Sequence, residues 1–359
     1  MSTSTDAVPL ALPASGTARD AWALTACVLL LLFSMTVASA LGAVALPLET
    51  TGRLIVKGVL QLPVQGEERA QAAIVYLIRF PRVLAAALVG ACLALAGVML
   101  QGLFRNPLAD AGLIGVSSGG ALGGVIVIST GLAATSSFAL PCATFAGALL
   151  TAFAVYVFTA RHGRTPLTTL LLVGIAVNAV LASLSSLILS LTDDYEISRQ
   201  MLFWLMGGLD GRGWSHVQIM LPFALAGLLP ALLFSRDLNV LLLGEETATT
   251  LGLNVEWLKR ALLALSALLA GAAVAVSGTI GFVGLIIPHL MRLLVGPNHR
   301  VLLPAAAFGG ATFLVWCDLL ARTLVAAEEL RLGVITAFIG APIFLHLLWR
   351  QEQRERGLS

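Results

Sequence analysis

Few side chains in this sequence could do chemistry, and their types narrow what that chemistry would be. Asp318 and Arg322 lie four residues apart, so on a helix they share a face and neutralise each other. Asp318 is the one acid set deep enough in an apolar run to act as a proton site. His289 follows Pro288, with Arg292 one turn later; this reads as a kink with a polar cap. His216 and His346 stand near the ends of apolar runs, which suits an interfacial place better than ligation. Cys27, Cys92, Cys142 and Cys317 all sit inside apolar runs without a CxxC pair, and read as small packing residues. No GxxxxGK[ST] string occurs, and the glycines of Gly115 to Gly120 have no lysine after them. The expectation is therefore no catalytic residue, no metal site, no cofactor on this chain, and no enzyme. Coupling to ATP would have to come from another subunit.

The elements that position these residues follow from composition. Of 359 residues, 58% are hydrophobic and only 11% charged, against about 25% charged in an ordinary soluble domain. At about 20 apolar residues per crossing, this leaves room for about ten spans and little else. A soluble enzyme, a nucleic-acid binder and a disordered chain are excluded. The apolar stretches are continuous rather than alternating, so the expected class is an all-α membrane protein and not a barrel. Thirty-five glycines fit helices packed closely in lipid.

The hydrophobic runs place spans at 21–46, 81–103, 112–131, 138–160, 167–191, 216–235, 260–277, 280–295, 301–325 and 333–350, with a short extra helix at 198–209. The first run is too long for a signal-peptide core and is read as a span. With the N-terminus in the cytoplasm, twelve Lys and Arg fall inside and nine outside, which favours cytoplasmic termini. Residues 1–20 then form an inner tail, 21–350 the membrane domain and 351–359 a second inner tail. Two loops are long. Residues 47–80 lie outside and end in a helix-like stretch over 67–76. Residues 236–259 lie inside and read as polar helix with a glycine break, a length that usually has a function. The stretch 82–124 resembles 259–296 in order of elements but starts on the opposite side, which suggests an inverted repeat.

Several strings, taken in order, resemble the membrane permeases of type II ABC importers for iron chelates, haem and vitamin B12. They are Arg79-Phe-Pro-Arg82, the run Met99 to Ser117 with Asn106-Pro107-Leu108, Phe203 to Gly208, Leu243 to Gly252, Gly281 to Arg292, Asp318 to Arg322 and Gly333 to Phe344. The first 65 residues match poorly. The resemblance implies ten helices per chain and a homodimer with the pathway on its two-fold axis. It implies two ATP-binding cassette subunits that carry ATP and Mg²⁺, and a periplasmic substrate-binding protein. Gly244, Glu245, Ala248, Leu251 and Gly252 would then belong to coupling helices that fit a cleft on the ATPase. Arg79, Arg82 and Arg322 would meet carboxylates of the binding protein, as exposed cations without local acids other than Asp318. Asn106, Pro107 and Leu108 would belong to the cytoplasmic gate. The implied location is a bacterial inner membrane, surrounded by lipid. The expected cargo is haem; the apolar faces of Met201, Trp204, Met206 and Trp214 suit a porphyrin or corrin plane, and they equally suit ordinary packing. Vitamin B12 and ferric siderophores are alternatives of the same family, and an ion-coupled secondary transporter is the alternative of another class.

Overall fold

The computed structural model describes residues 17–42, 46–64, 66, 68–160, 165–325 and 328–355, which are helices and turns with no strand among them. In chain order the helices are α1 (Thr17–Ala40), α2 (Leu48–Val59), α3 (Glu68–Ala73), α4 (Phe80–Phe104), α5 (Val116–Ser129), α6 (Ala139–Thr159) and α7 (Leu167–Ser190). They continue with α8 (Tyr195–Met206), α9 (Trp214–Leu233), α10 (Ser235–Leu241), α11 (Glu245–Thr250), α12 (Val255–Ser277), α13 (Val283–Val295), α14 (His299–Thr323) and α15 (Leu332–Glu355). A π-helical turn, Ile74–Arg79, joins α3 to α4, so one continuous helix runs over Glu68–Phe104.

Among the described residues eight helices are long and apolar enough to cross a membrane, and α5 and α13 are shorter apolar helices. Together they occupy the ten expected spans. The boundaries differ. α1 begins inside the expected tail, the second span reaches back to Glu68, and the third is α-helical only from Val116. The long loop over 47–80 holds α2, an amphipathic helix that sequence periodicity does not assign. Residues 1–16, Glu67, Arg161, Arg164 and 356–359 lie outside the described residues.

α4, α12 and α14 form the centre, and their spans are mostly buried. Small residues make this possible. Gly90 meets the backbone of Gly310 on α14, and Gly97 meets that of Gly284 on α13; a methyl group at either would enter a carbonyl. In lipid such close backbone approach supplies the dispersion contacts that hydrophobic burial cannot. By contrast α7 and α15 leave large apolar side chains uncovered, among them Leu172, Ile175, Leu187 and Phe338.

The two halves share an order of elements: a long buried helix, a turn and a short helix, α4–α5 and α12–α13. Each short helix starts from a left-handed residue, Gly115 at φ +87° and Phe282 at φ +69°. Glycine takes that conformation without a Cβ clash, whereas at Phe282 it costs of order 1–3 kcal/mol and has to be held by its surroundings.

Candidate functional site: an apolar groove and the two ends of the bundle

An open groove of about 710 Å³ lies between α8, the turn before α13 and α15. Leu205, Met206, Thr279, Val334, Phe338 and Pro342 line it. The hydroxyl of Thr279 donates to the Leu205 carbonyl, so the wall has little polarity left to offer. Of the two readings open for the aromatic and Met residues, ordinary packing holds for Met201, Trp204 and Trp214. Met201 and Trp204 are buried against Val125 and Ile128. The Trp214 indole donates to the Tyr76 carbonyl at 2.8 Å and packs on Tyr76 and Phe80. Of the four residues only Met206 lines the groove.

At one end of α4 and α14 sits a closed cluster of charges. Arg82 donates from Nε and Nη2 to Asp318 Oδ1 at 3.0 and 2.9 Å, and from Nη1 to Glu329 at 3.0 Å. Arg322 Nε pairs with Asp318 Oδ2 at 3.0 Å, and its Nη2 donates to the Ala38 carbonyl at 3.0 Å. Arg79 donates to the carbonyls of Ser39 and Ala40 at 3.2 and 2.8 Å. The expected exposed and unpaired arginines are thus corrected. Arg79 is 6% exposed and Arg82 9%, Glu329 is a second acid, and two of the three arginines hold the C-terminal carbonyls of α1. The pair Asp318/Arg322 exists as expected, with Arg82 as a third member that no local spacing could reveal.

At the other end, the loop after α4 carries Asn106, Pro107 and Leu108. Arg105 caps α4 in a left-handed conformation at φ +48°. Asn106 Oδ1 accepts from the Leu108 N–H at 2.9 Å, and Asp110 Oδ1 from the Gly112 N–H at 2.6 Å. Asn178 of α7 donates to the Gly112 carbonyl at 2.7 Å, which ties the loop to a peripheral helix. Removal from water pushes the Asp110 carboxyl above the ordinary aspartate range, opposed by the Gly112 N–H. Sequence reading passed over Asp110 because it stands in a loop.

The expected polar helices with a glycine break are α10 and α11, hinged at Gly244 with φ +108°. Lys259 on α12 holds this unit in place. Its Nζ donates to Glu245 at 2.7 Å, to Glu256 at 3.0 Å and to the Thr165 carbonyl at 3.4 Å. Leu251 and Gly252 are exposed, and the space beside Gly252 is open. Ala248 is fully buried within this chain. A bulky residue there would disturb the chain's own packing, so Ala248 cannot be a surface contact.

Comparison with known proteins decides what this arrangement belongs to. The model of the FecCD transport family matches residues 28–350. The chain belongs to the FecCD transport family. It is a multi-pass membrane protein and an ABC transporter permease. The FecCD chain is 48% identical over 287 residues to the cobalamin import system permease protein BtuC of Halobacterium salinarum, covering 80% of this chain and 76% of that one. It is 46% identical over 294 residues to the hemin transport system permease protein HmuU of Yersinia pestis, covering 78% and 84%. Its fold matches a solved inward-facing structure assigned to the metal-chelate type of ABC transporter, at a TM-score of 0.80 and 35% identity, covering 91% and 98%.

Proposed function

We propose that this FecCD permease imports haem from the periplasm across a bacterial inner membrane, with both termini in the cytoplasm. The observation that carries the reading is the groove of about 710 Å³ between α8 and α15, whose wall is apolar and uncharged. A flat macrocycle with apolar faces suits such a wall better than cobalamin, whose corrin is fringed with amides. A hemin permease among the relatives supports it. The uncovered apolar faces of α7 and α15 suit a second copy around a shared pathway. Two ATPase subunits, which carry ATP and Mg²⁺, would dock on Leu251, Gly252 and the Gly244 hinge with Glu245, while Ala248 supports them from within. Asn106, Pro107 and Leu108 would act as the cytoplasmic gate, moved by that unit. A periplasmic binding protein would dock near Glu329, where one of its carboxylates can replace Glu329 on Arg82. Arg79 and Arg322 would hold α1 behind that surface.

The test is uptake by the whole importer in vesicles, with haem, cobalamin and a ferric siderophore compared. Haem should stimulate ATP hydrolysis and enter when the proton gradient is collapsed but ATP is kept. Stimulation by cobalamin alone would replace haem as cargo. Uptake that stops with the proton gradient would favour an ion-coupled carrier, for which Asp110 is a second enclosed carboxyl beside Asp318.

A further inference from the structure

A cavity of about 420 Å³ opens beside the loop after α4. Gln101, Arg105 and Asn106 line it from one side, His289 and Arg292 from α13, and His299 from the start of α14. No Asp or Glu is among the described residues of its wall. Arg292 is half-buried, and its hydrogen bond goes to the neutral Gln101 Oε1 at 3.1 Å. The Arg105 guanidinium makes no hydrogen bond or ion pair among the described residues, while its backbone N–H goes to the Gly102 carbonyl at 3.4 Å. Two guanidinium groups, the half-buried Arg292 and the exposed Arg105, therefore face one cavity without a carboxylate, and a partly desolvated cation such as Arg292 is costly until an anion meets it.

His299 adds a second demand. It is 1% exposed. The Arg300 N–H donates to Asn298 Oδ1 at 3.1 Å, which makes that oxygen the acceptor for Asn239 Nδ2 at 2.9 Å. Asn239 Oδ1 is thereby turned to His299, where it meets the backbone N–H at 2.9 Å and Nδ1 at 2.8 Å. An amide oxygen only accepts, so Nδ1 carries the ring proton and Nε2 presents a lone pair. That Nε2 is buried against Gly102, another residue of the wall, and has no partner. Water could serve Nε2 but would leave the half-buried Arg292 without a counter-charge.

We infer that this cavity binds an oxyanion group, a phosphate or a carboxylate, held by Arg105 and Arg292 and bridged by one proton to His299 Nε2. A singly protonated phosphate oxygen meets all three demands: charged oxygens for the guanidinium groups and an O–H for the imidazole lone pair. The group can come from a lipid headgroup or from a carboxylate on the cargo as it leaves the groove. The cavity adjoins both the loop with Asn106 and the Gly244 hinge, since Arg105 Nη1 lies 3.6 Å from where a Cβ on Gly244 would stand. An anion here would link the two.

The test is calorimetric titration of inorganic phosphate into the whole importer in nanodiscs of phosphatidylcholine. Binding is expected at millimolar phosphate. Arg105→Gln and Arg292→Gln should each weaken it about tenfold, the loss of one charge-assisted hydrogen bond, and Arg292→Lys should restore part of it. Arg105 is exposed, so its substitution leaves the fold intact. Haem competing with phosphate while its dimethyl ester does not would assign the site to a cargo carboxylate. Loss of phosphate binding in nanodiscs with phosphatidylglycerol would assign it to a headgroup. No phosphate binding by the unaltered protein, or equal binding by both glutamine variants, would overturn the site. Failure of haem uptake would leave it in place, because the probe is phosphate.

Discussion

α4 and α14 run side by side, and their two ends handle charge in opposite ways. At the Asp318 end, Arg82 and Arg322 share one buried carboxylate and Arg82 reaches Glu329 as well. At the Arg292 end, Arg105 and Arg292 face a cavity without any acid in its described wall. Each end draws a guanidinium group partly out of water, Arg82 at the first and Arg292 at the second. The first end satisfies them within the chain, which makes it a clamp between α4, α14 and α1. The second leaves them for a guest. Buried charge by itself therefore does not mark a binding site; what marks one is charge that the fold leaves uncompensated.

Removing the acid should break the comparison most forcefully. Asp318→Asn takes the carboxylate from two buried arginines and should cost about 3–5 kcal/mol, as for other broken buried pairs. Thermal unfolding in detergent checks it; an unchanged midpoint would mean that the cluster is not a clamp. This also makes Asp318→Asn a poor probe of proton coupling, since lost uptake would follow from lost structure.

Lys259 sharpens the contrast, because it is a cation beside the α10–α11 unit that the chain does satisfy. It is 4% exposed in its side chain, with Glu245 and Glu256 as partners. Both carboxylates reach solvent, so Lys259→Met should cost only about 1 kcal/mol. Its larger effect is local: α11 should lose its anchor. Hydrogen exchange over 245–250 should quicken, and ATP-driven uptake should fall while the midpoint hardly moves. Unchanged exchange would show that packing of Ala248 alone holds the unit.

The smallest effect belongs to Glu329→Gln. Glu329 is 40% exposed in its side chain, and an exposed ion pair is worth about 0.2–1 kcal/mol. Stability should barely change. Binding-protein affinity should rise at low salt, because Arg82 is freed for an incoming carboxylate. Surface plasmon resonance over a salt series reads this directly, and an unaltered affinity would remove Arg82 from the docking surface.

Hydrophobic runs determined which segments are spans, because a backbone in lipid has to close its own hydrogen bonds and the run length must match the bilayer. The polar α10–α11 unit was equally legible from a charged stretch broken at Gly244, and Asp318 with Arg322 from their one-turn spacing. Tertiary structure decided the rest. Arg82 meets Asp318 across 236 residues of sequence, so an arginine at a helix end reads as exposed until α14 packs on α4. Ala248 reads as a candidate contact residue from its place in the family resemblance, Met201 and Trp204 from their types, and only packing shows that they are turned inward. The cavity with Arg105, Arg292 and His299 draws on three separate stretches of chain. Its character rests on which acids are absent from its wall and on which ring nitrogen of His299 holds a proton. Both depend on distances between elements, and no spacing along the chain encodes them.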